Sequence, residues 1–523
     1  KPFHWPVEFP EVFSRENPGF DAIVGNPPFM AGKRISTALG ERYRDWLATS
    51  TSGANVSADL VAQFFRKNFV LLRTGGVFGL LATNTVGQGD TRETGLQYIV
   101  ESGGSIIRVI RRLKWPGEAA VVVSVIHIMN GISKSPSIDG KAVDRISAYL
   151  VSGELDLAPS KLKSNNLKAF QGSMVLGMGF TFDDFGAEKG VCSPISTMSA
   201  LIEERPNSND YIFPYIGGEE INDNPTHLHR RYIIDFGESS YEYLEKECPE
   251  LMKIVEKFVR PERNKLKDNI DGKKYKREWW KFGRRGVKLY NKINSMRNVL
   301  AVSRVSSNFS VAAMQSNFVF ADSCIVFAFD KKCQLAALQA RPHEVWARFF
   351  ASSMKDDLRY TPSDCFETFP FPPDFETSEA LEAAGQTYHD FRAALMIEND
   401  QGMTKTYNRF HDPLDTTPGI VRLRELHAEM DRAVLTAYGW DDLAARANPV
   451  FLEKPADENG RGYQPGEPED DHTYQGRLFW PSDFRDEVLA RLLALNAERA
   501  EEEREAGLTP QPSTDDEEES EDA

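Results

Sequence analysis

The tetrapeptide Asn26-Pro27-Pro28-Phe29 is the part of this sequence best suited to chemistry, and it follows directly on the apolar run Phe20-Asp21-Ala22-Ile23-Val24-Gly25. An aromatic amine such as the exocyclic amine of adenine is a poor nucleophile, because its lone pair is delocalised into the ring. An Asn side-chain oxygen and a rigidly held Pro27 carbonyl can accept both amine hydrogens. That draws the nitrogen toward tetrahedral geometry and frees the lone pair to attack a methyl donor. The two prolines fix the backbone and remove competing donors. Phe29 offers a ring to stack on a base taken out of a duplex. As a bare four-residue string, the tetrapeptide is more readily a structural Pro-Pro turn. Its meaning depends on the elements that position it.

Those elements read as alternating strands and helices over residues 20–130. Phe20–Gly25 is a strand. Leu60, Val61, Phe64, Phe65, Phe69 and Leu72 recur at helical spacing behind Asp59. Gly75-Gly76 stops that helix, and Val77 to Ala82, Ser105 to Ile110 and Ala119 to Met129 read as further buried strands. Continuous apolar strands in this order predict an α/β sheet, mostly parallel and covered on both faces. In such sheets ligands bind at the carboxyl ends of strands, where the Asn26–Phe29 turn falls. The fold class is thus α/β: a partial Rossmann-like sheet, then a mixed α+β domain and a helical C-terminal region. The expected segments are 1–150, 151–372, a helical region 373–455, an acidic linker 456–475, a helix within 476–505 and a disordered acidic tail 506–523. In the helical region, Leu423, Leu426, His427, Met430 and Val434 form a stripe that Gly439 ends.

In this context the sequence resembles the class I amino-adenine DNA methyltransferases, most closely the MmeI-like group and its relatives in phage-defence systems such as DISARM. Phe20–Phe29 resembles motif IV, Ala58-Asp59-Leu60-Val61 motif V, Leu80 to Thr85 motif VI and Trp115 to Val123 motif VIII. Gly32-Lys33-Arg34, Phe213 to Gly218, Tyr232 to Phe236, Val259-Arg260-Pro261, Phe369 to Pro372 and Ala437 to Trp440 fit in the same order. The resemblance implies a site-specific methyltransferase acting on the amine of a flipped adenine, in a restriction-modification or phage-defence system. It implies S-adenosylmethionine as cofactor, Asn26, Pro27, Pro28 and Phe29 as catalytic residues, Asp59 in the cofactor pocket and Trp115 against the flipped base. Asp59 is equally suited to cap a helix, and Trp115 to close a sheet edge. The family binds its cofactor on a Gly-rich loop upstream of motif IV, and no such loop lies among the residues before Asn26. An upstream segment or a second chain is therefore expected to complete the cofactor site. The alternative is a DNA-recognition subunit or fragment, partnered by other defence proteins, that does not methylate alone.

Charge is compatible with a double-stranded DNA partner. The net charge of −16 is concentrated in two acidic stretches, residues 456–471 and 501–523, which leaves the remainder near neutral. Residues 253–288 hold 14 Lys/Arg against 5 acids. Lys273, Lys274, Lys276, Arg277, Arg284 and Arg285, interleaved with Tyr275, Trp279, Trp280 and Phe282, suit phosphate contacts, against the alternative of a solvated helix. Ala301 to Val311 alternates as a strand would, so that Arg304, Ser306, Asn308 and Ser310 share one face. Arg and Asn match guanine and adenine edges, which makes Arg304, Ser306 and Asn308 candidate readers of bases; an ordinary half-exposed strand is the competing reading. No metal site is expected. His227 and His229 lack companion ligands, and Asp271-Gly272-Lys273 matches a nuclease motif only loosely. Five scattered cysteines form no CxxC pair, which points to a reducing, cytoplasmic compartment. No apolar run reaches membrane-spanning length.

Overall fold

The computed structural model describes residues 3–508 apart from 31, 51–52, 54, 56, 115–121, 134, 355–356, 457–460, 470 and 472. Two compact units emerge. The first joins Lys1–Ser160 to Leu452–Gly476 and Trp480–Glu498, and the second joins Lys161–Phe451 to Arg477–Phe479 and the residues from Arg499 onward. The first unit thus runs ten residues past position 150 and takes back segments near the C-terminus.

The first unit is built on a six-stranded sheet: β1 (Phe20–Gly25), β2 (Leu72–Thr83), β3 (Gly104–Lys114), β4 (Val122–Asn130), β5 (Ser137–Ile138) and β6 (Lys141–Ala142). The spatial order is β1-β2-β4-β3-β5-β6. β1 begins in an aromatic knot, with Phe20 edge-on to Trp5, Phe9 and Phe13 at 5.4–5.7 Å. It runs parallel to β2, in the register Val24 to Gly79 and Gly25 to Leu80. The helix expected behind Asp59 is Leu60–Leu71, but it ends before Gly75-Gly76, which lie with Leu72 inside β2, and Phe64 of the expected stripe is exposed. The helix buries Val61, Phe65 and Phe69. These pack on Phe78, Leu80, Ile106, Val109, Ile126 and Ile128, the inward residues of β2, β3 and β4. Phe65 and Phe78 meet edge to face at 5.5 Å, an arrangement that adds to the burial itself.

Two expectations for this sheet are corrected. β4 is antiparallel to both β2 and β3, so the sheet is mixed rather than mostly parallel. A parallel return needs a crossover of a dozen or more residues, and only seven separate Lys114 from Val122. Nor is the sheet covered equally on both faces. Val77, Leu81, Val125, His127 and Met129 are only half-buried, and Val24 on β1 is 89% exposed. The outer edge of β1 pairs with no strand among the described residues. The expected acidic linker is also more structured than its composition predicts. Lys454 bridges to Gln464 and Leu452 to Glu467, and buried Glu469 forms an ion pair with Arg485 at 2.8 Å.

The second unit holds two four-stranded sheets. One joins Ile212–Ile216 to Arg231–Ile234, Thr181–Phe182 and Val319–Phe320. The other joins Asn298–Ser303 to Ala312–Gln315, Cys324–Phe327 and Ala169–Gln171. Gly172 lets the last of these pass the neighbouring chain: a Cβ there would lie 2.1 Å from the Ala321 carbonyl oxygen. The helical stripe lies as read, with Leu423, Leu426, His427, Met430 and Val434 buried on the helix Pro418–Ala437. Gly439 ends it at φ +77°, a conformation that favours glycine. The helix Ser482–Glu505 contains the expected C-terminal helix. All five cysteines are free and buried.

Candidate active site

The carboxyl ends of β1 and β2 lie side by side because the two strands are parallel. The Asn26–Phe29 turn leaves the end of β1. Asn26 and Pro28 are exposed, Pro27 is buried and Phe29 is half-buried. The Asn26 side chain is therefore open to a ligand, whereas the Phe29 ring packs against the core under the sheet. The next residue ties the turn down. Met30 N–H donates to the Asp59 carboxylate at 3.0 Å, and the Met30 carbonyl accepts from Leu60 N–H at 2.9 Å. The same Asp59 oxygen accepts Val61 N–H at 2.9 Å, which makes Asp59 the cap of the helix. The capping reading of Asp59 is thus borne out, and the carboxylate serves two backbone amides at once.

A second loop enters the site from the end of β2, and sequence reasoning missed it. Asp59 N–H donates to Thr91 Oγ1 at 3.0 Å. Asn55 N–H donates to Thr94 Oγ1 at 3.0 Å, and Asn55 Nδ2 donates to Asp90 at 2.8 Å. Burial raises the Asp90 carboxyl above its ordinary value. The sequence signal was present: Gly-Asp-Thr shortly after a strand end is turn chemistry of the kind that builds sites. Trp115 lies outside the described residues. Gly32, Lys33 and Arg34 begin the helix Gly32–Leu39, which follows the turn, and Ile35 of that helix packs with Leu47, Leu60 and Met30.

The basic stretch of the second unit is partly neutralised by its own neighbours. Arg285 donates to the buried Asp235 carboxylate at 2.9 Å. Lys276 pairs with Asp268, and Arg277 with Glu278 at 2.8 Å. Lys273 and Lys274 are exposed. Lys274 and Arg284 line a cleft of about 340 Å³ that also includes Tyr275, Lys281 and Phe282. Two of the interleaved aromatics are engaged within the protein. Trp279 is 6% exposed, and Trp280 Nε1 donates to the Ser239 carbonyl at 3.1 Å.

The expected reading face at Arg304, Ser306 and Asn308 does not form on one continuous strand. The strand breaks at Arg304, between Asn298–Ser303 and Val305–Ser306. Asn308 and Ser310 are buried. Asn308 Nδ2 donates to Asn408 at 3.0 Å, and its Oδ1 accepts from Arg477 at 3.1 Å. The Ser306 hydroxyl donates to the Asn308 carbonyl at 2.9 Å. Both ends of the Asn308 amide are thus used inside the protein. The histidines make no metal pair: His227 Nδ1 lies 2.9 Å from the Ile221 carbonyl, His229 sits edge-on to Tyr232, and no metal-binding group occurs among the described residues.

Comparison with known proteins fits this division. Residues 1–102 match the family model for the Eco57I restriction-modification methylase. Residues 194–373 match the model for the MmeI target recognition domain. The chain is thus similar, in two separate segments, to restriction-modification DNA methyltransferases. It is 23% identical over 454 residues to DNA methyltransferase A of Bacillus subtilis (strain 168), an alignment covering 83% of this chain and 47% of that protein. Among solved structures, the Type IIL restriction-modification enzyme MmeI in complex with DNA superposes with a TM-score of 0.57 at 16% identity, over 92% of this chain and 57% of that one. The chain spans about half the length of these relatives. The Asn26–Phe29 turn and Asp59 lie within the methylase match, and Lys273 to Asn308 within the recognition-domain match. No described helix is long and apolar enough to cross a membrane.

Proposed function

We propose that the complete protein methylates the exocyclic amine of a flipped adenine at a specific double-stranded DNA site, with S-adenosylmethionine as donor, in a restriction-modification or phage-defence setting. The observation that carries this reading is the exposed Asn26 side chain at the carboxyl end of β1, beside the parallel strand β2. Asn26 Oδ1 and the Pro27 carbonyl accept the two amine hydrogens and orient the nitrogen lone pair. Pro27 and Pro28 keep the turn from rearranging when the base arrives. Lys273, Lys274 and Arg284 contact phosphates along the recognition domain.

S-adenosylmethionine supplies the methyl group in such reactions, and the residues described here do not make its whole site. No Gly-rich loop lies among the residues before the turn, and the Asp59 oxygen best placed toward the turn is taken by two backbone amides. β1 offers an edge that pairs with no strand among the described residues, and Val24 an exposed apolar face, to a strand and cover from another segment or a second chain. The same observation supports the second reading, a DNA-recognition subunit that does not methylate alone. A tritium methyl-transfer assay on the complete protein tests the main reading. Incorporation should disappear in Asn26→Ala while DNA binding persists; retained incorporation rejects the assignment of Asn26.

A further inference from the structure

The loop after β2 is stitched to the turn after β1 through Thr91 and Asp59. Thr91 Oγ1 accepts Asp59 N–H at 3.0 Å. The Asp59 carboxylate accepts Met30 N–H at 3.0 Å. Met30 directly follows Phe29, and its carbonyl is held by Leu60 N–H at 2.9 Å. Thr94 and Asp90 hold Asn55, four residues before Asp59, at 3.0 and 2.8 Å. Asp59 is 9% exposed, so its amide and its carboxylate need partners from the protein.

From this chain of contacts we propose that Thr91 is a positioning residue for the Asn26–Phe29 turn, acting through Asp59. The proposal rests on the reading of Asn26 as the amine acceptor. Its physical basis is a short lever. Pro27 and Pro28 make the turn stiff, so its placement depends on where its ends are fixed. One end is the last residue of β1, paired in the sheet through Gly25 and Leu80. The other end is Met30, whose amide hydrogen goes to the Asp59 carboxylate. The helix bonds from Val61 and Ala62 hold Asp59 on its C-terminal side, and Thr91 holds its N–H on the other. Removing the Thr91 hydroxyl strands a buried N–H, and the segment then shifts to find another acceptor. Displacement of a reacting group by about 1 Å costs up to roughly a hundred-fold in rate. The loop that begins at the end of β2 therefore sets the geometry at the end of β1, which couples the two strand ends mechanically.

The test compares Thr91→Val, which keeps the shape and removes the acceptor, with Thr91→Ser, which keeps the acceptor. In the complete protein, Thr91→Val should lower kcat for methyl transfer by roughly ten- to a hundred-fold with KM for DNA within about two-fold, and Thr91→Ser should restore most of the rate. In parallel, hydrogen exchange on this chain should quicken over residues 26–31 in Thr91→Val and not in Thr91→Ser. Unchanged kcat and unchanged exchange in Thr91→Val overturn the proposal. So does a fall in kcat that tracks an equal fall in DNA affinity and thermal stability, since that pattern marks a merely structural residue. Asn26→Ala, run alongside, separates the two ideas. If Asn26→Ala abolishes transfer and Thr91→Val leaves both kcat and exchange unchanged, the acceptor reading stands and the positioning role fails. If Asn26→Ala retains activity, the acceptor reading itself fails, and the exchange arm still reports on the Thr91–Asp59–Met30 contacts.

Discussion

Asn308→Ala separates a base-reading side chain from one that holds the recognition domain together. The substitution removes a neutral hydrogen bond to Asn408 at 3.0 Å and a charge-assisted one from Arg477 at 3.1 Å, at a residue that is 6% exposed. A neutral buried bond contributes about 1 kcal/mol, and one to a charged group about 1.5–3 kcal/mol. The cost is therefore about 2.5–4 kcal/mol. For a unit of more than 250 residues, near the lower end of about 2–4 °C per kcal/mol, Tm should fall by roughly 5–8 °C. Arg477 also donates to the Ser307 carbonyl, so it keeps one partner and the fold survives. Differential scanning fluorimetry of this chain gives the shift, and selection from a randomised duplex pool gives the base preference. The expected outcome is a clear drop in stability with the preferred sequence unchanged. An unchanged Tm together with a relaxed base position would refute this and reinstate Asn308 as a reader, whose removal should change discrimination by ~1–3 kcal/mol at that position.

Lys273→Ala/Lys274→Ala should weaken binding to all duplexes alike and flatten the slope of log K against log salt by about 0.9 for each phosphate no longer neutralised; a changed sequence preference with an unaltered slope contradicts the phosphate assignment. Isothermal calorimetry of this chain should show weak or no uptake of S-adenosylmethionine, and tight binding would mean that the cofactor site lies within these residues after all. The buried Arg341–Asp431 pair gives an acid-sensitive contribution. Burial pushes the Asp431 carboxyl up, but the Arg341 guanidinium and His427 outweigh it and hold it at about 2. Its folded value lies below the unfolded value of ~3.9, so the stabilisation is present above about pH 4 and is lost as pH falls toward 2. Asp431→Asn should cost about 3–5 kcal/mol at neutral pH and flatten the acid limb of a Tm-against-pH profile; an unchanged limb would show that the pair does not govern it.

Local sequence determined the elements around the site because each carries its own signal. Phe20–Gly25 is apolar up to a Gly-Asn-Pro-Pro turn that cannot continue it, and it is a strand over those residues. Asp59 ahead of a helical stripe specifies the helix start, and the structure places its carboxylate on Val61 N–H. The Leu423–Val434 stripe is set by periodicity, which survives whatever the helix packs on. The charge of residues 253–288 was equally legible, because charge is a property of composition.

Pairing and partnership were decided only by tertiary structure. A strand's sequence does not state which neighbour it takes, so the antiparallel β4 and the half-covered sheet face emerged only with the topology. Alternation at Ala301–Val311 could not show that Arg477, 169 positions away in sequence, would claim the Asn308 amide. Nor could the basic run show that Asp235 would neutralise Arg285 across 50 positions. Thr91 is a common residue in a polar loop. Its importance comes wholly from the 3.0 Å contact to Asp59 N–H. Hydrogen-bond partners are fixed by where the chain brings them, and long-range proximity is the one thing that local propensity does not encode.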